Sequence, residues 1–334
     1  MNKSFVMLNE GKGNSYMSKY NNQYCKDLAR RLSLKDLEEC LYFPKYFTIE
    51  TCNNCNARCT MCPKGQAGTK GMQIMEDAVF DKIVKELEGY CDWIEMICLN
   101  SDGEPLLDKK IALRIKKLKD IGIRHINIST NAQLLTKDKI EELLESGLDD
   151  LRISIDGFTK ETYEKVRQGL NYDIVKANTL NMLQMRNLAK SSMKIRIRMV
   201  ELEENADERE DFLKFWQSKA GEEDKIQLMP MHTWSGKIAD EEKRKIDFYA
   251  DKPCVSVFSS FTINYDGKVQ LCDSDIEQQE IVGDIREQSI RDIWQGGKME
   301  QIRGWHADEK RNNIPICQGC DHWSRHFKES IGQE

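Results

Sequence analysis

The sequence predicts an α/β protein built on a parallel sheet, because β-rich runs alternate with amphipathic helical runs from residue 46 onward and six such units follow one another. Six units in a row suit a doubly wound sheet or a partial barrel, and periodicity alone does not choose between them. The expected strands are "YFTIET", "WIEMICLN", "HINIST", "LRISID", "KIRIRMV" and "KIQLMP". Between them, apolar residues recur at helical spacing: Val79, Ile83 and Leu87; Ile111, Ile115 and Leu118; Ile140, Leu143 and Leu144; Phe212, Phe215 and Trp216. Gly122 and Gly147 stand just past two of these helices, where helix stops belong.

Residues 1–45 contain one expected helix, "QYCKDLARRLSLKDLEECLYF", read as a cap on the sheet rather than a domain. The strands occupy 46–235, a charged connector 236–250, and short strands, turns and four cysteines fill 251–327. Within that last part, "SFTINYDGKVQLC" reads as a hairpin turning at Asp266-Gly267. "VGDIREQSIRDIW" reads as a turn and a short helix with Ile290, Ile293 and Trp294 inward.

A chain of 334 residues can build one large α/β domain plus a small appendage, or two ordinary domains. Its net charge of -6, with basic residues interspersed among acidic ones, argues against a nucleic-acid partner. No run of eighteen apolar residues and no apolar N-terminal stretch occurs, so neither a membrane span nor a signal peptide is expected. The expected compartment is the cytoplasm. Twelve cysteines are then more than a protein without persistent disulfides would keep idle, and metal binding is the better first expectation.

In a parallel α/β barrel the chemistry lies at the carboxyl ends of the strands. The cysteine cluster follows the first strand, "NSDGEPLL" the second, "STNA" the third and "SIDG" the fourth, while the fifth ends in Arg198 and Glu201. Asp, Asn and Gly at strand ends also serve as ordinary turn residues and caps. That reading explains the cysteines poorly. Cys55, Cys59 and Cys62 form a tight C-x3-C-x2-C loop, whereas zinc knuckles favour two widely separated pairs. Three thiolates on an iron–sulfur cubane would leave one iron free to bind something else.

"CNARCTMC" resembles the signature of the radical S-adenosylmethionine (SAM) superfamily. The resemblance implies a partial (β/α)6 TIM-like barrel whose loop carries a [4Fe-4S] cluster on Cys55, Cys59 and Cys62, the fourth iron being chelated by SAM. Cys52 is then a packed thiol rather than a ligand. Asp102, Gly103 and Glu104 look like the family's "GGE" motif, with Asp102 where the first Gly is usual. Thr130, Asn131, Ser154 and Asp156 sit where members contact SAM, and Arg198 where an Arg often pairs with its carboxylate. The implied chemistry is reductive cleavage of SAM to methionine and a 5′-deoxyadenosyl radical, which removes hydrogen from an unactivated carbon. The implied electron donor is a flavodoxin or ferredoxin-type reductant.

Cys254, Cys272, Cys317 and Cys320, spaced C-x17-C-x44-C-x2-C, fit a structural zinc site taken in isolation. Beside a radical SAM core they resemble the SPASM/Twitch extension, a small hairpin-plus-helix domain that holds auxiliary [4Fe-4S] clusters. Four cysteines suffice for one fully ligated cluster, as in the Twitch form. The expected substrate is a sugar, aminocyclitol or nucleotide-linked sugar, oxidised at a carbinol carbon with the auxiliary cluster accepting an electron, or else epimerised. A peptide maturase and a metal-binding protein without catalysis are the alternatives. Cys98, and less so Cys91, are candidate hydrogen donors for epimerisation; His232, beside Trp234, and Glu201 are candidate bases for oxidation. Cys25 and Cys40 are expected to be structural.

Overall fold

The computed structural model describes residues 20–64, 71, 73–231, 252–318 and 320. The six expected strands all form: β1 (Tyr46–Ile49), β3 (Met96–Cys98), β4 (Ile126–Thr130), β5 (Asp150–Ser154), β7 (Lys194–Glu201) and β8 (Lys225–Pro230). They pair in parallel and in chain order, β1-β3-β4-β5-β7-β8. A doubly wound sheet reverses its strand order part way across. Across these six strands it never does, so they wind in one direction as a partial barrel.

The sheet continues past β1 into the C-terminal part. Strand β9 (Ser260–Ile263) pairs in parallel with β1, β10 (Lys268–Gln270) returns antiparallel to β9, and β11 (Ile281–Asp284) follows. The expected hairpin is present, turning at Gly267 with φ +85. What the sequence reading did not foresee is that its first strand extends the barrel sheet. Two further short strands, β2 (Arg58–Cys59) and β6 (Arg167–Gln168), form an antiparallel ribbon of their own.

Side-chain alternation sorts the sheet faces. On β5 and β7, Leu151, Ile153, Ile195, Ile197 and Met199 are fully buried beneath the helices, while Arg152, Ser154, Arg196 and Arg198 face the lumen. The helices α2 (Asp77–Leu87), α3 (Ile111–Asp120), α4 (Lys137–Glu145) and α7 (Arg209–Gln217) bury the faces that the apolar spacing predicts, with Ile83, Ile115, Ile140 and Phe212 at 0% exposure. Each such side chain contributes about 1.5–3 kcal/mol on burial. The helices α5 (Lys160–Val166) and α6 (Tyr172–Leu188) complete the wrap between β5 and β7.

The single N-terminal helix of the sequence reading is corrected. Helix α1 (Gln23–Arg31) ends at Leu32, Ser33 turns the chain at φ 57, and a separate 3-10 turn (Leu37–Leu41) starts from an Asp36–Glu39 capping box. The segment also packs on the C-terminal part as well as the barrel. Asn22 donates to the Ala307 carbonyl, and Trp294 of helix α9 (Ile290–Gln295) donates to the Cys40 carbonyl at 2.8 Å. Cys25 and Cys40 are buried here, as expected of structural thiols.

Candidate active site

The loop after β1 carries Cys55, Cys59 and Cys62, all half-buried. It is held by backbone contacts from both sides. Cys59 stands opposite Arg167 in the β2–β6 ribbon, and Thr60 N–H donates to the Val166 carbonyl at 2.9 Å. On the other side, Glu104 N–H donates to the Asn54 carbonyl at 2.8 Å. Gly103 makes that approach possible: a Cβ there would lie 2.0 Å from the Cys52 carbonyl oxygen. Burial pushes the Cys55 thiol up to about 11 and raises that of Cys59, with the Arg167 guanidinium pulling both back. Cys52 is buried, and its thiol donates to the Asn54 carbonyl at 3.7 Å.

Several residues expected to meet SAM are committed elsewhere. Glu104 is 2% exposed; its Oε1 accepts from Thr130 Oγ1 at 2.7 Å and from Leu106 N–H, and its Oε2 accepts from Asn131 N–H at 2.8 Å. The carboxylate thus locks the end of β4 to the loop after β3. Thr130 shares its face with Ile128, beneath the helices, because the pleat alternates. Asp156, fully buried, spends Oδ2 on Arg167 and Oδ1 on Val200 N–H. In this structure these three side chains tie the loops that follow β3, β4 and β5 to their neighbours. Asn131 differs: its amide donates to Asn56 Oδ1 at 2.7 Å and lies 3.9 Å from Cys55 Sγ.

Ser154 and Arg198 do face the lumen. Arg198 Nη2 donates to Ser129 Oγ at 3.0 Å, and burial, with Arg152 beside it, pulls its guanidinium down to about 10. Below it, Arg196 lies 2.7 Å from Asp150, close but not aligned for a hydrogen bond. Cys98 also lines the lumen, its thiol 3.4 Å from the carbonyl and side-chain oxygens of Asn100 and raised by burial. Cys91, the lesser candidate donor, donates its thiol to the Ile121 carbonyl at 3.1 Å, among the segments that precede β3 and β4. Glu201 falls by alternation on the Met199 side of β7, where Arg209 pairs with it at 3.4 Å. His232 and Trp234 lie outside the described residues.

Sequence reasoning missed a charge cluster between loop and hairpin. Lys64 Nζ lies 3.2 Å from Glu50 and 3.6 Å from Asp102, and both carboxylates are almost fully buried. Burial lifts the Asp102 carboxyl to about 7; Lys64 opposes the rise, and Glu50 and Asp273 add to it. The position of Lys64, two residues after Cys62, was the one available signal.

In the C-terminal part, Cys254, Cys272, Cys317 and Cys320 line one cavity with Val257, Leu271, Ile316 and His306. Among the described residues no three metal-binding side chains close on a single point at ion distance; the four thiols surround a space instead. Burial raises the Cys272 and Cys317 thiols well above their ordinary value and Cys254 to about 11, and the neighbouring thiols add to each rise. Such a set becomes thiolate only around a positively charged group, which is what iron supplies. His306, also missed, is fully buried on helix α10 (Gly297–Ala307) and pulled down to about 3, hence neutral. Its Nδ1 accepts the Cys254 N–H at 3.1 Å, so the proton sits on Nε2, 3.8 Å from Cys317 Sγ.

A one-directional α/β sheet with a cysteine loop after its first strand, and a thiol-lined cavity on an adjoining hairpin, define an iron–sulfur protein of barrel type. Residues 49–215 match the radical SAM superfamily and residues 254–321 an iron–sulfur cluster-binding domain, SPASM. The chain belongs to the radical SAM superfamily, which works with SAM and [4Fe-4S] clusters. Among curated proteins it is 33% identical over 135 residues to the GTP 3′,8-cyclase of Limosilactobacillus fermentum, covering 39% of each chain. It is also 33% identical over 112 residues to the tungsten-containing aldehyde ferredoxin oxidoreductase cofactor-modifying protein of Pyrococcus furiosus, covering 34% of this chain and 31% of that one. The match thus spans about two fifths or less of these relatives' length. Among solved structures, BtrN in complex with AdoMet and 2-DOIA has a TM-score of 0.56 at 19% identity, covering 84% of this chain and 94% of that one. Streptococcus suis SuiB bound to precursor peptide SuiA has a TM-score of 0.64 at 16% identity, covering 91% and 80%. At these identities the likeness is one of fold. No helix among the described residues is long and apolar enough to cross a membrane.

Proposed function

We propose that the protein cleaves SAM reductively at a cluster held by Cys55, Cys59 and Cys62 and oxidises a carbinol carbon of a sugar, aminocyclitol or nucleotide-linked sugar. When bound and reduced, the cluster supplies the electron that breaks SAM into methionine and a 5′-deoxyadenosyl radical, which takes a hydrogen atom from that carbon. The chain's own residues orient and seal. Gly103 lets the backbone after β3 close on the cysteine loop, Glu104 ties it to β4, and Asn131 steadies Cys55. Ser154 and Arg198, facing the lumen, hold SAM, with Arg198 on its carboxylate. Domain limits follow the same reading: a cap to residue 45, a barrel to about 235, and an auxiliary domain from 251.

The observation that carries oxidation is the thiol-lined cavity on a hairpin whose first strand is hydrogen-bonded to β1. A cluster held there is proposed to accept the electron a substrate radical gives up; Asp273, next to Cys272, is felt electrostatically at Cys98 and Asp102 of the barrel, which supports this. Asp102, buried between loop and hairpin with its carboxyl lifted to about 7, is placed to take the accompanying proton better than Glu201, which Arg209 already pairs. A flavodoxin or ferredoxin-type protein is the proposed reductant.

Reconstituted enzyme is incubated with SAM and candidate sugar-type and peptide substrates in deuterated buffer. Dehydrogenation gives a mass loss of two, with 5′-deoxyadenosine raised above background. An isomeric product carrying deuterium would replace oxidation by epimerisation, with Cys98 as donor. Turnover of peptides alone would overturn the substrate class.

A further inference from the structure

Behind the cysteine loop lies a buried ion pair that bracing alone does not account for. Arg167 stands directly across the β2–β6 ladder from Cys59. Its Nε and Nη2 lie 2.7 and 2.6 Å from the same Asp156 oxygen. Asp156 is immobilised in turn, since its other oxygen accepts the Val200 N–H at 2.7 Å and its backbone carbonyl accepts from Asn205 Nδ2 at 3.2 Å. Arg167 is 9% exposed and Asp156 fully buried. A pair fixed this way cannot turn when the charge of its neighbour changes, and little water screens it.

The pair is also oriented. Arg167 is the member that borders the loop, its backbone pairing with Cys59 beside the Thr60 N–H to Val166 carbonyl bond, whereas Asp156 bonds Arg167, Val200 and Asn205. The loop therefore sits in the field of the positive end. A cluster that gains an electron gains negative charge, and a cation at this position stabilises the reduced form over the oxidised one. Charge, hydrogen bonds and exposure around the sulfurs are what set such potentials.

We propose that Arg167 and Asp156 set the reduction potential of the cluster held by Cys55, Cys59 and Cys62, Arg167 raising it and Asp156 limiting the rise. Both are positioning residues: Arg167 pairs with the Cys59 backbone, and Asp156 holds Arg167. The proposal rests on the assignment of the cluster to those three cysteines.

The test is a redox titration of reconstituted protein, following the electron paramagnetic resonance signal that changes on adding SAM. Arg167→Gln is expected to lower the potential and Asp156→Asn to raise it, each changing the reduced-to-oxidised ratio at a fixed poise by about tenfold, or about 59 mV for one electron. The double variant returns towards the wild type, and Arg167→Lys, which keeps the charge, stays near it. Potentials unmoved with iron and sulfide intact would overturn the proposal, as would both single variants moving the same way. If Arg167→Gln loses its cluster, the opposed expectations for Asp156→Asn and Arg167→Lys still decide. A wild-type protein with no SAM-responsive signal would instead defeat the cluster assignment itself.

Discussion

Cys55, Cys59 and Cys62 lie half-buried on a loop that leaves a strand end, whereas Cys254, Cys272, Cys317 and Cys320 wall a cavity together with Val257, Leu271 and Ile316. The supports differ more than the exposure, since of these seven thiols Cys317 alone is buried and the others are half-buried. The first set is steadied by polar groups that can meet a ligand, Asn131 above all, and by the Arg167 charge. The second is enclosed by apolar side chains and by His306, a neutral ring whose proton is directed at Cys317 by the Cys254 N–H. Three thiols on an open loop leave a coordination position for chemistry. Four thiols around a closed space leave none, so that site suits electron transfer or bracing.

The largest expected effect separates the two sites directly. Cys55→Ser, Cys59→Ser or Cys62→Ser should reduce 5′-deoxyadenosine formation by well over about 100-fold, exceeding the 10–100-fold typical of losing an outer-shell partner. Cys52→Ser, at a buried thiol bonded only to the Asn54 carbonyl, should stay within a few-fold of wild type. Cys272→Ala should lower the iron content and stop product formation while leaving SAM cleavage without substrate largely intact. Equal loss of that cleavage in Cys272→Ala and Cys59→Ser would erase the distinction between the sites.

A smaller effect tests how the open site is shaped. Gly103→Ala would place its Cβ 2.0 Å from the Cys52 carbonyl oxygen, a backbone atom that cannot swing aside. The loop must then shift, at a cost of about 1–3 kcal/mol of stability, the usual range for overpacking. Both a lower thermal midpoint and weaker SAM binding are expected. A variant that binds SAM as the wild type does would show that the loop tolerates displacement.

Much of the open site could be read from the sequence because its elements are local. The C-x3-C-x2-C loop, the strand pattern and the hairpin turn each lie within a dozen residues, and periodicity places lumen residues such as Ser154 and Arg198 without a structure. For Thr130 and Glu201 the opposite holds: a strand end looks functional in sequence, and only the register shows which way the side chain points. Glu104 and Asp156 sit in the expected loops, yet their carboxylates are consumed by partners up to 44 residues away. No local pattern announces such pairings. The junction of β9 with β1 joins residues more than 200 positions apart, and the Lys64–Glu50–Asp102 cluster depends on how loop and hairpin fold together.

The remaining expected effect concerns that junction and is read through pH. The Asp102 carboxyl is lifted to about 7, chiefly by burial, with Lys64 opposing the rise and Glu50 adding to it. In the unfolded chain an Asp titrates near about 3.9. Between about pH 4 and 7 the folded protein therefore keeps a proton that the unfolded chain has lost, so stability falls as pH rises through this window and levels off above it. The fall is at most about 4 kcal/mol for a carboxyl lifted from about 3.9 to about 7, and Glu50, also raised by burial, contributes in the same direction. Asp102→Asn cannot titrate, and its urea midpoint, measured on metal-free protein between pH 4.5 and 7.5, should decline less steeply than that of the wild type. Equal slopes would mean that Lys64 keeps Asp102 ionised throughout. The carboxylate would then be a fixed charge whose pKa lies too low to hold a proton taken from substrate.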